Sequence, residues 1–264
     1  MADHILHPTP YPDINAVLHL LLSSAQTILK HDFLGMYLCG SLASGDFNRQ
    51  SSDIDFVIVT ADELSDKVIA ALAAMHDRIA ASGPRWAKKL EGSYIPQRLL
   101  RRYDPSYERY PSINERRFYV GGHGSDWVIQ RQIMREHGIV VAGPDPQLLI
   151  DPVGPDDLRR AVLATLREWW SQLLDDPARL HSREYQVFAV LTMCRALYTL
   201  QHGSLASKPV AARWARQTLG EPWSAMIERA LAWPCNPQPD HLSETLDFIR
   251  YTLEGTEQRT ENKL

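Results

Sequence analysis

Apolar residues along this chain fall either into a helical period or into short strand-like runs, and the runs are confined to the residues before about 150. Residues 12 to 30 carry Ile14, Val17, Leu18, Leu21, Leu22, Ala25, Ile28 and Leu29, the three-and-four spacing of one helix face, opening after Pro12-Asp13. Two short apolar runs follow, Met36-Tyr37-Leu38-Cys39 and Phe56-Val57-Ile58-Val59, both bounded by turn residues and rich in β-branched or aromatic side chains. They read as buried strands. A second helix fits residues 64 to 82, with Leu64, Val68, Leu72, Met75 and Ile79 on one face and Ser82-Gly83-Pro84 ending it. Residues 88 to 95 read as a strand cut off by Pro96.

Residues 97 to 124 show no regular period, and Pro105, Pro111 and Gly121-Gly122-His123-Gly124 predict a turn-rich loop of the length that often forms a lid or binding element. Ser125 then caps a helix through about Glu136, and Ile139 to Ala142 form a short strand before Gly143-Pro144. Punctuation by Asp145-Pro146 and Asp151-Pro152 places a domain boundary near residue 150, dividing the chain into 1–150 and 151–264. Beyond it every period is helical, over 156–174, 184–201, 209–218, 222–231 and 241–253, which predicts a bundle of about five helices. Trp169 and Trp170 fall in the first of these and read as core. Residues 255 to 264 are polar and expected to fray.

Composition narrows the setting. With 44% hydrophobic and 23% charged residues, the 264-residue chain is ordinary for a globular protein. No apolar run approaches the length that spans a bilayer, and Met1-Ala2-Asp3-His4 lacks the basic start of a signal peptide, so a cytoplasmic location without membrane contact is expected. Cys39, Cys194 and Cys235 are odd in number and far apart, which predicts reduced thiols. A net charge of −4 argues against a broad nucleic-acid footprint. The cluster Arg98, Arg101, Arg102, Arg109, Arg116 and Arg117, interleaved with Tyr103, Tyr107 and Tyr110, has the makings of a base-stacking platform, but Asp104, Glu108 and Glu115 offset it. No nucleic-acid partner is therefore expected.

The candidate chemistry lies between the first two strands, where Gly40-Ser41 is followed by Ser52-Asp53-Ile54-Asp55. Side chains two apart on a strand point the same way, so Asp53 and Asp55 project together from the mouth of a sheet. Two adjacent carboxylates do not both stay ionised cheaply unless a cation joins them. Their hard oxygens suit Mg²⁺, whose remaining positions take water and substrate phosphates. Gly-Ser or Asp-x-Asp alone is most often an ordinary turn or a solvated strand entrance. Together, in the order strand, Gly-Ser, polar loop, Asp-x-Asp and apolar strand, they resemble the signature of the nucleotidyltransferase superfamily.

Further segments sharpen that resemblance: Leu90-Glu91, Arg135-Glu136-His137, Asp151-Pro152-Val153, Leu191-Thr192-Met193-Cys194-Arg195, and Lys208-Pro209-Val210-Ala211-Ala212-Arg213-Trp214-Ala215. From about residue 35 to 253 the chain is similar to aminoglycoside nucleotidyltransferases of the streptomycin/spectinomycin adenylyltransferase type. The resemblance implies an α+β protein: an N-terminal nucleotidyltransferase (polymerase-beta-like) mixed sheet with helices, then an all-α helical bundle, with the active site between them. It implies Mg²⁺-dependent transfer of AMP from ATP to a drug hydroxyl, with two metal ions held by Asp53 and Asp55. Glu91 matches the carboxylate that takes the proton of the attacking hydroxyl. Ser41 and Ser52 match positions on the nucleotide phosphates, and Arg195, Lys208 and Tyr251 positions on the nucleotide side.

The implied partners are ATP and a cationic aminoglycoside or aminocyclitol, bound by a monomer. The family reads streptomycin through a tryptophan and acidic residues before the Leu-Thr-x-x-Arg helix. Trp170, Asp175, Asp176 and Glu184 supply such types, and spectinomycin is the favoured drug. Two alternatives stay open: the same chemistry on another small molecule or on a protein or RNA hydroxyl, and a nucleotide-binding regulatory module without turnover.

Overall fold

The architecture follows from two sets of amphipathic elements, each with its own core. A computed structural model describes residues 7–233 and 240–261, with side chains as far as residue 255. In chain order the elements are α1 (Pro12–Leu29), β1 (Phe33–Leu38), α2 (Gly40–Ser44), β2 (Ile54–Thr60), α3 (Asp66–Ala81), β3 (Leu90–Pro96), α4 (Gln97–Arg101), β4 (Tyr110–Asn114), β5 (Arg117–Gly121), α5 (Asp126–His137), β6 (Ile139–Ala142) and α6 (Pro146–Leu149). Then come α7 (Pro155–Thr165), α8 (Gln172–Asp175), α9 (Arg183–His202), α10 (Lys208–Leu219), α11 (Trp223–Leu231) and α12 (Leu242–Glu261). Among the described residues, 7–123 together with Gln130–Pro152 form one compact unit, and Gly124–Ile129 with 153–233 and 240–261 form a second.

In the first unit six strands form one mixed sheet in the order β5-β4-β3-β2-β1-β6, with β2 and β3 parallel and the other pairs antiparallel. Period-two alternation divides its faces. Ile54, Phe56, Ile58, Leu90 and Tyr94 belong to the core built with α1 and α3 through Leu18, Leu21, Leu72 and Met75. Asp55, Val57, Glu91 and Ser93 fall on the other parity, so the two carboxylate-bearing positions share the opposite face. Gly92 makes room in the core: a Cβ there would overlap the Phe56 carbonyl oxygen and lie 2.7 Å from the Phe56 ring. That ring stacks on His76, whose Nε2 is 2.9 Å from the Tyr94 hydroxyl, and burial pushes the His76 imidazole down to about 4.

The loop between α2 and β2, which carries Ser52, is fixed from outside. Arg49 donates to both oxygens of Asp13 on α1, at 3.1 and 2.6 Å, and Arg85 donates to the Arg49 carbonyl at 2.8 Å. Phe47 packs against Tyr11 and Trp86, and the Trp86 indole N–H donates to Asp13 at 2.7 Å. The Arg49 guanidinium, helped by that N–H, holds the Asp13 carboxyl down to about 2.

Residues 97 to 124, expected to be an irregular lid, are instead ordered as α4 and the β4–β5 hairpin. Pro111 is tolerated in β4 opposite Val120, and Ile113 and Phe118 reach the core. The hairpin turns on Glu115 and Arg116, with φ of 47° and 67°, between the paired Asn114 and Arg117. Positive φ at both central residues is the I′ geometry that suits strand twist, normally supplied by Asn-Gly. Each non-glycine residue held there costs ~1–3 kcal/mol. The arginine cluster is largely neutralised: Arg98 bonds Glu63, Arg101 and Arg102 bond Asp151, and Arg109 bonds Asp66.

In the second unit α9 is central and touches α7, α10, α11 and α12. Ser182 caps its start by accepting from the Tyr185 N–H, and Gly203, at φ 68°, closes it. Its apolar side, including Val190, Met193 and Leu197, meets Val162, Ala211, Ala215, Ile227 and Phe248. The predicted helix 156–174 widens after Thr165 into a π-type turn at Leu166–Trp170, with the Ser171 N–H donating to the Leu166 carbonyl at 2.9 Å. Trp170 is 3% exposed and buried as expected, whereas Trp169 is 42% exposed beneath the Arg179 guanidinium. Helix α12 runs to Glu261, beyond the expected end at 253.

Cys39 and Cys194 are free and buried, and Cys235 lies outside the described residues. No helix among the described residues is long and apolar enough to cross a membrane. Trp86 is 2% exposed and holds the Ser52 loop against α1. Trp86→Ala is expected to cost ~3–5 kcal/mol of stability, measured by urea unfolding.

Candidate active site

Parallel pairing of β2 with β3 sets Asp55 directly beside Glu91, in a register running from Ile54↔Leu90 to Thr60↔Pro96. Asp53 precedes β2 by one residue, so its parity places it on the same face as Asp55. Three carboxylates therefore cluster at the start of two neighbouring strands. Lys89, two residues before Glu91, sets its ammonium 2.8 Å from an Asp53 oxygen.

The Gly40-Ser41 turn belongs to the same cluster. Gly40 has a φ of 58° and begins α2, and a Cβ there would overlap Oδ2 of Asp55. Glycine is needed twice over, for the left-handed backbone and for close approach of the carboxylate. The Cys39 N–H donates to the Asp55 carbonyl at 3.0 Å, stitching the turn to β2. Burial and the Asp55 charge hold the Cys39 thiol well above its ordinary range. Ser41 is half-buried on α2, and Ser52 uses its hydroxyl oxygen to accept the Asn48 N–H at 3.0 Å.

Glu91 is half-buried, and its carboxyl is pushed up to about 7, first by burial, then by the charge of Asp53, with smaller contributions from Asp55 and Glu115. The Glu115 N–H, donating to Oε1 of Glu91 at 3.2 Å, acts in the opposite direction.

Hard-oxygen donors of this kind fit Mg²⁺. Among the described residues no group of three or more His, Cys, Asp or Glu is arranged to hold an ion by itself. Mg²⁺ does not require such a cage, since it takes one or two carboxylates and completes its shell with water and phosphate oxygens. The Lys89 ammonium offsets the charge of Asp53 within this set.

The remaining sequence candidates lie in the second unit. Arg195 is half-buried on α9, and Lys208 opens α10 with its ammonium 4.4 Å from the centre of the Phe188 ring. Phe188 stacks in turn on Trp170. Tyr251, on α12, is 38% exposed and lies 5.2 Å from Trp223, ring centre to ring centre. Asp175 and Asp176 end α8, and Glu184 lies in the first turn of α9. Nearby in this unit, Glu168 accepts from the Ser125 N–H and hydroxyl at 3.1 and 2.8 Å, and burial together with Glu168 holds Asp126 above the usual carboxylate range.

Sequence reasoning missed Lys89 and the Glu115 amide. The i, i+2 spacing of Lys89 and Glu91 on a predicted strand was a usable signal. Nothing marked Glu115, because its turn lacks the glycine or asparagine that identifies such hairpins.

A mixed sheet carrying clustered carboxylates at the head of two parallel strands is the frame of a nucleotidyltransferase, and residues 22–98 match the family described as "Nucleotidyltransferase domain". Residues 148–254 match "Aminoglycoside adenylyltransferase, C-terminal domain". Over 218 residues the chain is 30% identical to the aminoglycoside (3'') (9) adenylyltransferase of Rhizobium radiobacter, covering 76% of this chain and 77% of the relative. It is 26% identical over 240 residues to the enzyme of that name from Escherichia coli, covering 84% and 87%. The spectinomycin 9-adenylyltransferase of Campylobacter jejuni is 26% identical over 219 residues, covering 80% and 81%. The fold superposes on spectinomycin adenyltransferase AAD(9) from Enterococcus faecialis, solved with ATP and spectinomycin, with a TM-score of 0.74 at 17% identity, covering 90% of this chain and 98% of the other. The chain belongs to the aminoglycoside (3'') (9) adenylyltransferase family and is an enzyme of that nucleotidyltransferase class.

Gly40→Ala is expected to displace the Asp55 carboxylate and lower turnover ~10²-fold, as misplacement by an ångström typically does. Circular dichroism of that variant should remain native. Glu91 also makes the stability of the free protein depend on pH. Its folded pKa lies above the ordinary 4.5, so its contribution is fully present below 4.5 and lost as pH rises through about 7. Glu91→Gln is therefore expected to raise the melting temperature at pH 8 and leave it unchanged at pH 4, measured without metal or nucleotide.

Proposed function

We propose that this enzyme transfers the adenylyl group of ATP to a hydroxyl of an aminocyclitol or aminoglycoside antibiotic, with spectinomycin the favoured acceptor, and releases pyrophosphate. The observation that carries the reading is the Asp55↔Glu91 register beside Asp53, in a chain of this family. The relatives named as spectinomycin adenylyltransferases support the choice of acceptor.

In this reading the drug hydroxyl oxygen bonds to the α-phosphorus of ATP as the bond from that phosphorus to the bridging oxygen breaks. The hydroxyl proton passes to the Glu91 carboxylate, and pyrophosphate leaves. A carboxylate level with Asp55 and beside Asp53 is placed for that role, which is typically worth ~10²–10⁴-fold in rate. Asp53 and Asp55 would hold Mg²⁺, which would supply charge neutralisation to the phosphates. Lys89 offsets the charge of Asp53 in the free protein. Ser41 and Ser52 present hydroxyls to the phosphates. Arg195 offers a planar fork for phosphate oxygens, Lys208 a compact point charge, and Tyr251 an aromatic face on the nucleotide side. The cluster of Asp53, Asp55 and Glu91 makes the neighbourhood acidic, which attracts a polycationic drug.

The test is Mg²⁺-dependent pyrophosphate release from ATP with spectinomycin, with streptomycin and without drug, together with the mass of the drug. A gain of one adenylyl group on spectinomycin is expected, abolished in Asp53→Ala and reduced ~10²–10⁴-fold in Glu91→Gln with ATP binding retained. No mass gain on either drug while ATP still binds would overturn the choice of acceptor. Loss of ATP binding in Glu91→Gln would overturn the assignment of Glu91 as base.

A further inference from the structure

The β3–β4 ladder pairs Gly92 with Ile113 and Ser93 with Ser112 and stops there, one step short of Glu91. At that step the backbone pairing is replaced by a contact to the side chain, the Glu115 N–H donating to Oε1 of Glu91 at 3.2 Å. In a two-residue hairpin turn the N–H of the first central residue points away from the hairpin and is left unpaired by the ladder. Here both central residues, Glu115 and Arg116, are held at positive φ without glycine. Backbone held in a sparsely populated region persists only where its surroundings over-determine it, and such residues concentrate at functional sites.

The surroundings do over-determine it. Ser93 and Ser112 are joined hydroxyl to hydroxyl at 2.7 Å across β3 and β4, on the same strand face as Glu91. His123 Nε2 lies 3.1 Å from the Ser93 hydroxyl, and its ring stacks on Tyr110 with centres 3.7 Å apart and planes 2° from parallel. The Tyr103 hydroxyl donates to the His123 carbonyl at 2.8 Å. The hairpin is thus anchored to β3 immediately beside the carboxylate that its tip contacts.

We propose that the tip of the β4–β5 hairpin is a positioning element for Glu91, in which the Glu115 amide fixes Oε1 and thereby presents Oε2 to the proton of the incoming hydroxyl. This rests on the reading of Glu91 as the base. The device acts through backbone geometry, so the side chains of Glu115 and Arg116 are dispensable for it and the two-residue length of the turn is not.

The experiment compares two variants of the full chain. The double substitution Glu115→Gly/Arg116→Gly keeps the N–H and eases the positive φ. Insertion of one glycine between Glu115 and Arg116 keeps the sequence and displaces the amide. The glycine pair should retain kcat for adenylyl transfer to spectinomycin within about twofold and melt at a higher temperature. The insertion should lower kcat ~10–100-fold with KM for ATP unchanged. In the Glu91→Gln background it should cost nothing further, because its effect runs through Glu91.

Full activity of the insertion variant would overturn the proposal, as would a loss in the glycine pair equal to that of the insertion. A Glu91→Gln enzyme as active as the parent would overturn the base assignment and the proposal with it. Melting without substrate provides a readout independent of the acceptor: the shifts produced by Glu91→Ala, which removes the accepting oxygen, and by the insertion should be non-additive, and additive shifts would overturn the contact itself. If the insertion prevents folding, an α-hydroxy acid at position 115, which replaces the single N–H by an ester oxygen, takes its place with the same expectations.

Discussion

The parallel pairing of β2 with β3 is the constraint on which the rest of the first unit depends. A parallel ladder fixes both strand direction and register, so Ile54↔Leu90 brings Asp55 level with Glu91 and cannot slip without exchanging their faces for those of Phe56 and Leu90. Slippage by one residue would bury carboxylates in the core of α1 and α3 and expose apolar residues such as Ile54, Phe56 and Tyr94. The hydrophobic pattern therefore protects the chemical pattern. Gly92 completes the arrangement by letting the Phe56 ring lie across the adjoining strand, with His76 and Tyr94 behind it.

Around that register the molecule accepts local costs. Gly40 gives up a side chain so that Asp55 can occupy the space, and Glu115 and Arg116 adopt a backbone that non-glycine residues avoid. Glu91 is pressed toward its neutral form by burial and by Asp53, while Lys89 offsets the charge of Asp53. Carboxylates gathered this closely are unfavourable in isolation, and in the proposed reaction a cation and phosphate oxygens would offset that cost. The stability that offsets these local costs comes from the core on the other sheet face.

Legibility in the sequence followed the strength of local signals. Helices α1, α3 and α9 have long apolar faces with defined ends, and the strands around Asp53 and Asp55 are short apolar runs between turns, so these were readable. The β4–β5 hairpin was not. Its strands carry Pro111 and exposed polar residues, and its turn is Glu-Arg where the expected signal is Asn-Gly. The π-type turn after Thr165 was equally hidden, since periodicity alone does not distinguish a widened turn from a regular one; within it Trp170 is buried while Trp169 faces outward.

By itself the sequence determined the identities and spacings that depend only on neighbours along the chain: which residues are apolar, where helices begin and end, that Asp53 and Asp55 share a strand face, and that Gly40 precedes Ser41. Those are set by backbone sterics and by burial of contiguous faces. What only the tertiary structure decided is which distant residues meet: Glu91 level with Asp55, Lys89 against Asp53, the Asp55 carboxylate against the Cα of Gly40, and the Glu115 amide on Glu91. Those contacts join segments well separated along the chain, and they come from strand order and register, which are properties of the whole sheet.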